Sequence, residues 1–72
     1  MNTFYIDFWL KNEVVVETYV DTLLGGREIL EKLISNRSPY IEANLRENGH
    51  LIAINKEEIA CIEIMHEEVN SI

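Results

Sequence analysis

The chain opens with alternating apolar and polar positions, the pattern of a β-strand that buries one face. In residues 3–10 the apolar positions are Phe4, Ile6, Phe8 and Leu10. A second β-branched and aromatic run, residues 14–20, follows the polar stretch Lys11-Asn12-Glu13. A three-residue loop keeps the apolar residues of both runs on one face. We therefore predict a hairpin that pairs Phe4 with Val20, Ile6 with Thr18, Phe8 with Val16 and Leu10 with Val14.

The opposite face of this hairpin is rich in aromatic side chains. The same register sets Tyr5 opposite Tyr19 and Trp9 opposite Val15, with a like-charged pair between them. Because Trp and Tyr are enriched at the hot spots of protein interfaces, Tyr5, Trp9, Val15 and Tyr19 are our candidate interface residues. The alternative is that the helix or the second hairpin covers them as core. We favour cover by a second subunit.

The hydrophobic period becomes helical in the next segment. The apolar stripe consists of Ile29, Leu30, Leu33 and Ile34. We predict a helix from near Gly26 to about Ser35, because Pro39 and the residue before it disfavour helical backbone. An earlier start capped by Asp21 or Thr22 stays open, although a glycine inside a helix costs about 1 kcal/mol relative to alanine.

The second half of the chain predicts three more strands. Asn48-Gly49 lies between two alternating runs, residues 40–45 and 50–55, which is the pattern of a two-residue hairpin turn. Residues 59–64 form the last apolar run, and residues 66–72 have no clear period, so we predict a frayed tail there. The turn sets Leu45 opposite Ile52 and Ala43 opposite Ile54, and the core face continues through Ala60, Ile62 and Ile64.

These elements predict an α+β fold class with the order ββαβββ, an antiparallel sheet with one helix packed on it, in a single domain of residues 1–72. The alternatives of an open sheet and a sheet curled into a small SH3-like partial barrel both stay open. The stretch Leu51 to Ile62 resembles the last two strands of SH3-like barrels, including the Sm-like RNA-binding family. This chain departs from that family in its N-terminal hairpin, its central helix and its turn Lys56-Glu57-Glu58. We assign no family.

Length, charge and cysteine content limit the size of the core, the class of partner and the cellular compartment. A chain of 72 residues can build one small core, and self-association would stabilise it. Its formal charge of −7 makes nucleic acid an unfavourable partner, because a phosphate backbone repels it. No apolar run approaches the roughly 18 residues of a membrane span. With a lone cysteine, Cys61, and no basic leader, we predict a cytoplasmic protein without a membrane partner.

The sequence predicts no catalytic, metal or cofactor site, and no enzyme. Cys61 could in principle meet His50 or His66 as a thiol and its base, but a cysteine inside a strand is more often a small buried hydrophobe. Residues 65–68 contain one histidine and two carboxylates, without the spacing that puts two ligands on one helix face. Gly25-Gly26 lacks the remainder of any phosphate-binding motif.

The function that these features predict is that of a small acidic protein-binding or regulatory module, acting through protein–protein contacts as a homo-oligomer. One alternative is an inhibitor of the kind carried by phages or mobile elements, which would use the acidic surface. Another is a small barrel that binds a nucleotide or nucleic acid by aromatic stacking. The last alternative predicts tyrosines lining a groove near Arg27, Arg37 or Arg46.

Overall fold

The structure, a computed structural model, describes residues 1–69, and their side chains as far as Met65. The predicted α+β class and the order ββαβββ are confirmed. The elements are β1 Asn2–Leu10, β2 Val15–Thr22, α1 Gly26–Ser35, β3 Tyr40–Leu45, β4 Leu51–Asn55, a 3-10 turn Lys56–Glu58 and β5 Ile59–Val69.

All five strands belong to one antiparallel sheet with the order β4-β3-β2-β1-β5. Its two edge strands, β4 and β5, are joined by the three-residue turn Lys56–Glu58 alone. A 3-10 turn rises only about 2 Å per residue, so the end of β4 lies near the start of β5 and the sheet must curve strongly. Among residues 1–69 no ladder joins β4 to β5, and closure into a barrel is therefore not confirmed.

The register of the first hairpin is confirmed. Phe4 lies opposite Val20, Ile6 opposite Thr18 and Phe8 opposite Val16. The N–H of Leu10 donates to the carbonyl of Val14 at 2.8 Å, which closes the three-residue loop. The period of two and the loop length demand the same pairing, so the local sequence was sufficient here.

Glu13 completes this loop with a φ of 71°, in the left-handed region. That backbone costs an L-residue with a side chain about 1 kcal/mol or more, and glycine avoids the cost. We expect Glu13→Gly to raise the free energy of unfolding by about 0.5 to 1 kcal/mol, measured by urea denaturation. Lys11→Gly is the matched control, at a neighbouring loop position with ordinary φ, and should lower it. Equal losses in the two variants would contradict the expectation.

The second hairpin forms, but its predicted turn was wrong by two residues in register. Ala43 lies opposite Ile52 rather than Ile54, and the loop has four residues, 46–49. Gly49 takes a φ of 75° and its N–H donates to the carbonyl of Leu45 at 2.8 Å. Leu45 rather than Glu47 forms the last pair, because its N–H donates to the carbonyl of His50, while the side chain of Arg46 is held by Asp7 and Glu17. Because side chains alternate along a strand, a register shift of two residues leaves every side chain on its predicted face. Ala43, Ile52 and Ile54 therefore stay on the core side.

The helix begins at Gly26, and the earlier start is wrong because β2 runs as far as Thr22. Its one buried residue, Ile29, lies in the core with the apolar residues of β1. The fully packed core consists of Phe4, Ile6, Phe8, Ile29, Ile41, Ala43 and Ile54. The helix thus covers the predicted core face of the sheet and leaves the aromatic face on the other side.

The last strand differs from the prediction in two ways. A register shift between Trp9 and Leu10 makes a bulge at Ala60, which is exposed, and Ile59 packs against the core in its place. Strand β5 also continues to Val69, paired with the first residues of β1, so residues 66–69 are strand rather than a frayed tail. Residues 66–69 become a strand because they pair with the backbone of β1, and their own sequence shows no strand period. Residues 70–72 lie outside the described residues.

Candidate protein-interaction surface

The four candidate residues lie together on the side of the sheet away from the helix, here called the outer face. Tyr5 lies opposite Tyr19, and Trp9 opposite Val15, as the register predicted. The indole of Trp9 is exposed, at 43%, whereas Tyr5, Val15 and Tyr19 are half-buried. The structure therefore brings the four residues onto one face, but it does not make them one continuous apolar surface.

Arg46 separates the two ends of the outer face. From the β3–β4 loop, its guanidinium reaches Asp7 Oδ1 at 2.9 Å and Glu17 Oε2 at 3.1 Å. It also donates to the carbonyl of Thr18 at 3.0 Å. The side chain of Asp7 is only 9% exposed, so its charge needs a partner. Sequence reasoning missed this role of Arg46, although two carboxylates opposite each other were a signal that a cation must approach.

The same arginine lies where the two hairpins meet. The β2–β3 ladder has two pairs among the described residues, Thr18 with Leu45 and Tyr19 with Asn44. Arg46 follows Leu45 directly and bonds β2 through its backbone and its side chain. Arg46 therefore helps to hold β3 and β4 against β2, and so to the part of the sheet formed by β2, β1 and β5.

The tyrosine end of the outer face forms a shallow cavity of about 320 Å³. Its lining contains Tyr5, Tyr19 and Arg46, as the nucleotide-binding alternative predicted, and does not contain Arg27 or Arg37. The guanidinium of Arg46, however, lies 5.2 Å from the centre of the Tyr5 ring, over the ring face that a base would use. Asp21 also lines the cavity and would repel a phosphate. This geometry gives the stacking alternative little support.

The tryptophan end of the outer face is more accessible. Trp9 lies between Val15 on β2 and Cys61 on β5. Its Nε1 donates to Glu63 Oε1 at 3.3 Å, which orients the indole across β5. Cys61 is exposed, so the prediction of a buried cysteine was wrong. The reason is alternation along β5: Ile62 and Ile64 pack against the core, so Cys61 lies on the opposite face, beside Trp9.

The structure does not bring a histidine to Cys61 among the described side chains. His50 precedes β4, at the other edge of the sheet, and the side chain of His66 lies outside the described part. Among the described residues, no three His, Cys, Asp or Glu side chains form a group that could hold a metal ion. The described helix is too short and too polar to cross a membrane.

A second candidate surface runs along β5. One side of this strand pairs with β1, and the other side has no strand partner among residues 1–69. Beside it lies an open groove of about 480 Å³ between β5 and α1. Its apolar lining includes Leu33 and Ile34 of the helix and Ile59 and Ile62 of β5.

Comparisons with protein-family models, with curated proteins and with solved structures found no match to this chain.

Proposed function

We propose that this chain is a protein-binding module that acts through protein–protein contacts and forms a homo-oligomer. The observation that carries the proposal is the exposed indole of Trp9, flanked by Val15 and Cys61 at the edge of the outer face. Burying such a side chain at an interface gains about 25 cal/mol per Å² of apolar area. Trp is also among the residues most enriched at interface hot spots.

The orientation of the indole supports the same proposal. The hydrogen bond from Trp9 Nε1 to Glu63 restrains the ring before a partner arrives. A side chain ordered in advance loses less conformational entropy on binding. The indole therefore offers a partner a restrained apolar surface.

The setting we propose is the cytoplasm. The free and exposed thiol of Cys61 is compatible with a reducing compartment, where cysteines remain unpaired. The acidic charge of −7 favours contact with basic surfaces and disfavours nucleic acid.

The test is the molar mass in solution, measured by light scattering across a range of protein concentrations. We expect an oligomer for the wild type, and dissociation toward the monomer for Trp9→Ala. Truncating a central interface tryptophan typically costs 2 kcal/mol or more, which is about thirtyfold in the dissociation constant.

Tyr40→Ala is the matched control, because Tyr40 is similarly exposed, at 49%, and lies on β3 away from Trp9. This variant should keep the mass of the wild type. A folded wild-type monomer at every concentration would overturn the homo-oligomer. Equal dissociation in the two variants would remove Trp9 from the interface.

A further inference from the structure

The free edge of β5 offers backbone hydrogen bonds. Because Leu10 N–H donates to Val14, the even-numbered residues of β1 direct their polar groups to β2 and the odd-numbered ones to β5. Cys61 and Glu63 are the partners of odd-numbered residues of β1, so their backbone N–H and C=O groups point toward β1. Ile62 and Ile64 alternate with them, so their N–H and C=O groups point away from β1.

Between its two bulges, this edge has little of the protection that natural edge strands carry. Residues 59–65 contain one charged side chain, Glu63, and no proline. β4, at the other end of the sheet, is only five residues long, and short length is itself a protective device. Register shifts at both ends leave residues 61–64 as a regular stretch. An added strand would thus pair over a short length.

The groove beside this edge would receive one side of an added strand. Most of its lining is apolar and includes Leu30, Leu33, Ile34, Ile41, Ile59 and Ile62. Ile34 is 64% exposed on the helix. Lys56 also lines the groove, where its Nζ donates to the carbonyl of Asn36. Because side chains alternate along a strand, every second residue of an added segment would face these apolar groups.

The other side of an added strand would meet negative charge. Glu17, Asp7 and Glu63 form a row across β2, β1 and β5 on the outer face. Arg46 pairs with the first two. Among the described residues, Glu63 has no ion pair and accepts a hydrogen bond from Trp9 only. Glu63 is the member at the open edge, so a cation on the next strand would lie beside it.

From this geometry we propose that the edge of β5 binds an extended, basic segment of another protein by strand addition, with basic residues on the outer face alternating with apolar residues in the groove. The inference rests on the proposed protein-binding function and names the partner's chemistry. Backbone hydrogen bonds to Ile62 and Ile64 supply affinity, while the groove and Glu63 select the side chains. A second β5 strand is disfavoured on this edge, because its residues 59–65 offer Glu63 no cation and would add another Glu63.

The test uses a capped synthetic peptide of alternating lysine and valine, about seven residues long, the length of an ordinary strand. Binding to the full chain is followed by Trp9 fluorescence and by amide NMR shifts. We expect a saturable change with shifts concentrated in residues 59–65, weakening as salt is added. A glutamate–valine peptide of the same length should bind at least tenfold more weakly. So should a lysine–valine peptide N-methylated at alternate residues, because it lacks half of the strand's donors.

Glu63→Gln should raise the dissociation constant of the lysine–valine peptide by about two- to fivefold, which is the effect of losing one exposed ion pair. Glu47→Gln, the same charge change in the exposed β3–β4 loop, should leave binding unchanged. Equal binding of the glutamate–valine peptide, shifts centred away from β5, or no binding of either peptide would overturn the inference. Without peptide, the proposed oligomer would shift the residues around Trp9, such as Val15 and Cys61. Concentration-dependent shifts centred instead on the amides of Ile62 and Ile64 would overturn the inference, by assigning this edge to a second copy. The light-scattering result for Trp9→Ala is independent of all these outcomes, so the two proposals can fail separately.

Discussion

Replacing Arg46 by alanine is expected to lower the free energy of unfolding by about 2 to 4 kcal/mol. The substitution leaves the carboxylate of Asp7, 9% exposed, without its 2.9 Å ion pair. It also removes the side-chain bond to the carbonyl of Thr18, at the narrow junction between β2 and β3. The half-exposed position of Arg46 keeps the loss below that of a fully buried pair.

Urea denaturation and amide hydrogen exchange check this expectation together. Exchange should quicken most at residues of the β2–β3 ladder, Thr18 to Tyr19 and Asn44 to Leu45, because the junction opens locally. Glu17→Gln is the matched control: its side chain is 64% exposed, so its loss should stay below about 1 kcal/mol. The loss for Arg46→Lys should lie between those of Arg46→Ala and Glu17→Gln, because lysine keeps the charge but lacks the planar guanidinium that bonds several acceptors at once. Equal losses for Arg46→Ala and Glu17→Gln would show that Arg46 does not fasten the hairpins.

Phe8→Ala is expected to cost about 3 to 5 kcal/mol, the largest effect of any single substitution proposed for this chain. Phe8 is fully buried on β1, an interior strand of the sheet, between Val16 on β2 and Ile62 on β5. At the usual free energy per residue, a chain of 72 residues has a total stability of only about 4 to 11 kcal/mol. The variant should therefore lose most of its fold, which circular dichroism and thermal melting would show.

Two further variants keep this expectation falsifiable. Phe8→Leu retains most of the buried volume and should remain folded with a lower melting temperature. Val14→Ala, at an exposed position near the hairpin loop, should change stability by less than about 1 kcal/mol. If Phe8→Ala melted within a few degrees of Val14→Ala, Phe8 would not be at the centre of the core.

The local sequence was sufficient to predict the first hairpin and the end of the helix. The first hairpin combines a period of two with a three-residue polar loop, and one register satisfies both. The helix ends where predicted, at Ser35, because proline follows closely and cannot continue it. The α+β class follows from this order of elements. The grouping of Tyr5, Trp9, Val15 and Tyr19 on one face also follows, since it depends only on the register of one hairpin.

Tertiary structure decided what depends on residues distant in the chain. Asn48-Gly49 favours a two-residue turn, but the loop has four residues, and its first residue, Arg46, is bonded to Glu17 and Asp7 far away in the chain. The bulge at Ala60 appears only in the pairing of β5 with β1, and it exposes Ala60 and brings Ile59 to the core in its place. That β5 has no strand on its other side among residues 1–69 likewise follows from the strand order, which no short segment encodes. Pairing between distant strands and the burial of a charge are set by neighbours in space. The sequence by itself therefore predicted the hairpins and the helix, whereas only the fold showed which strand edge and which side chains are exposed.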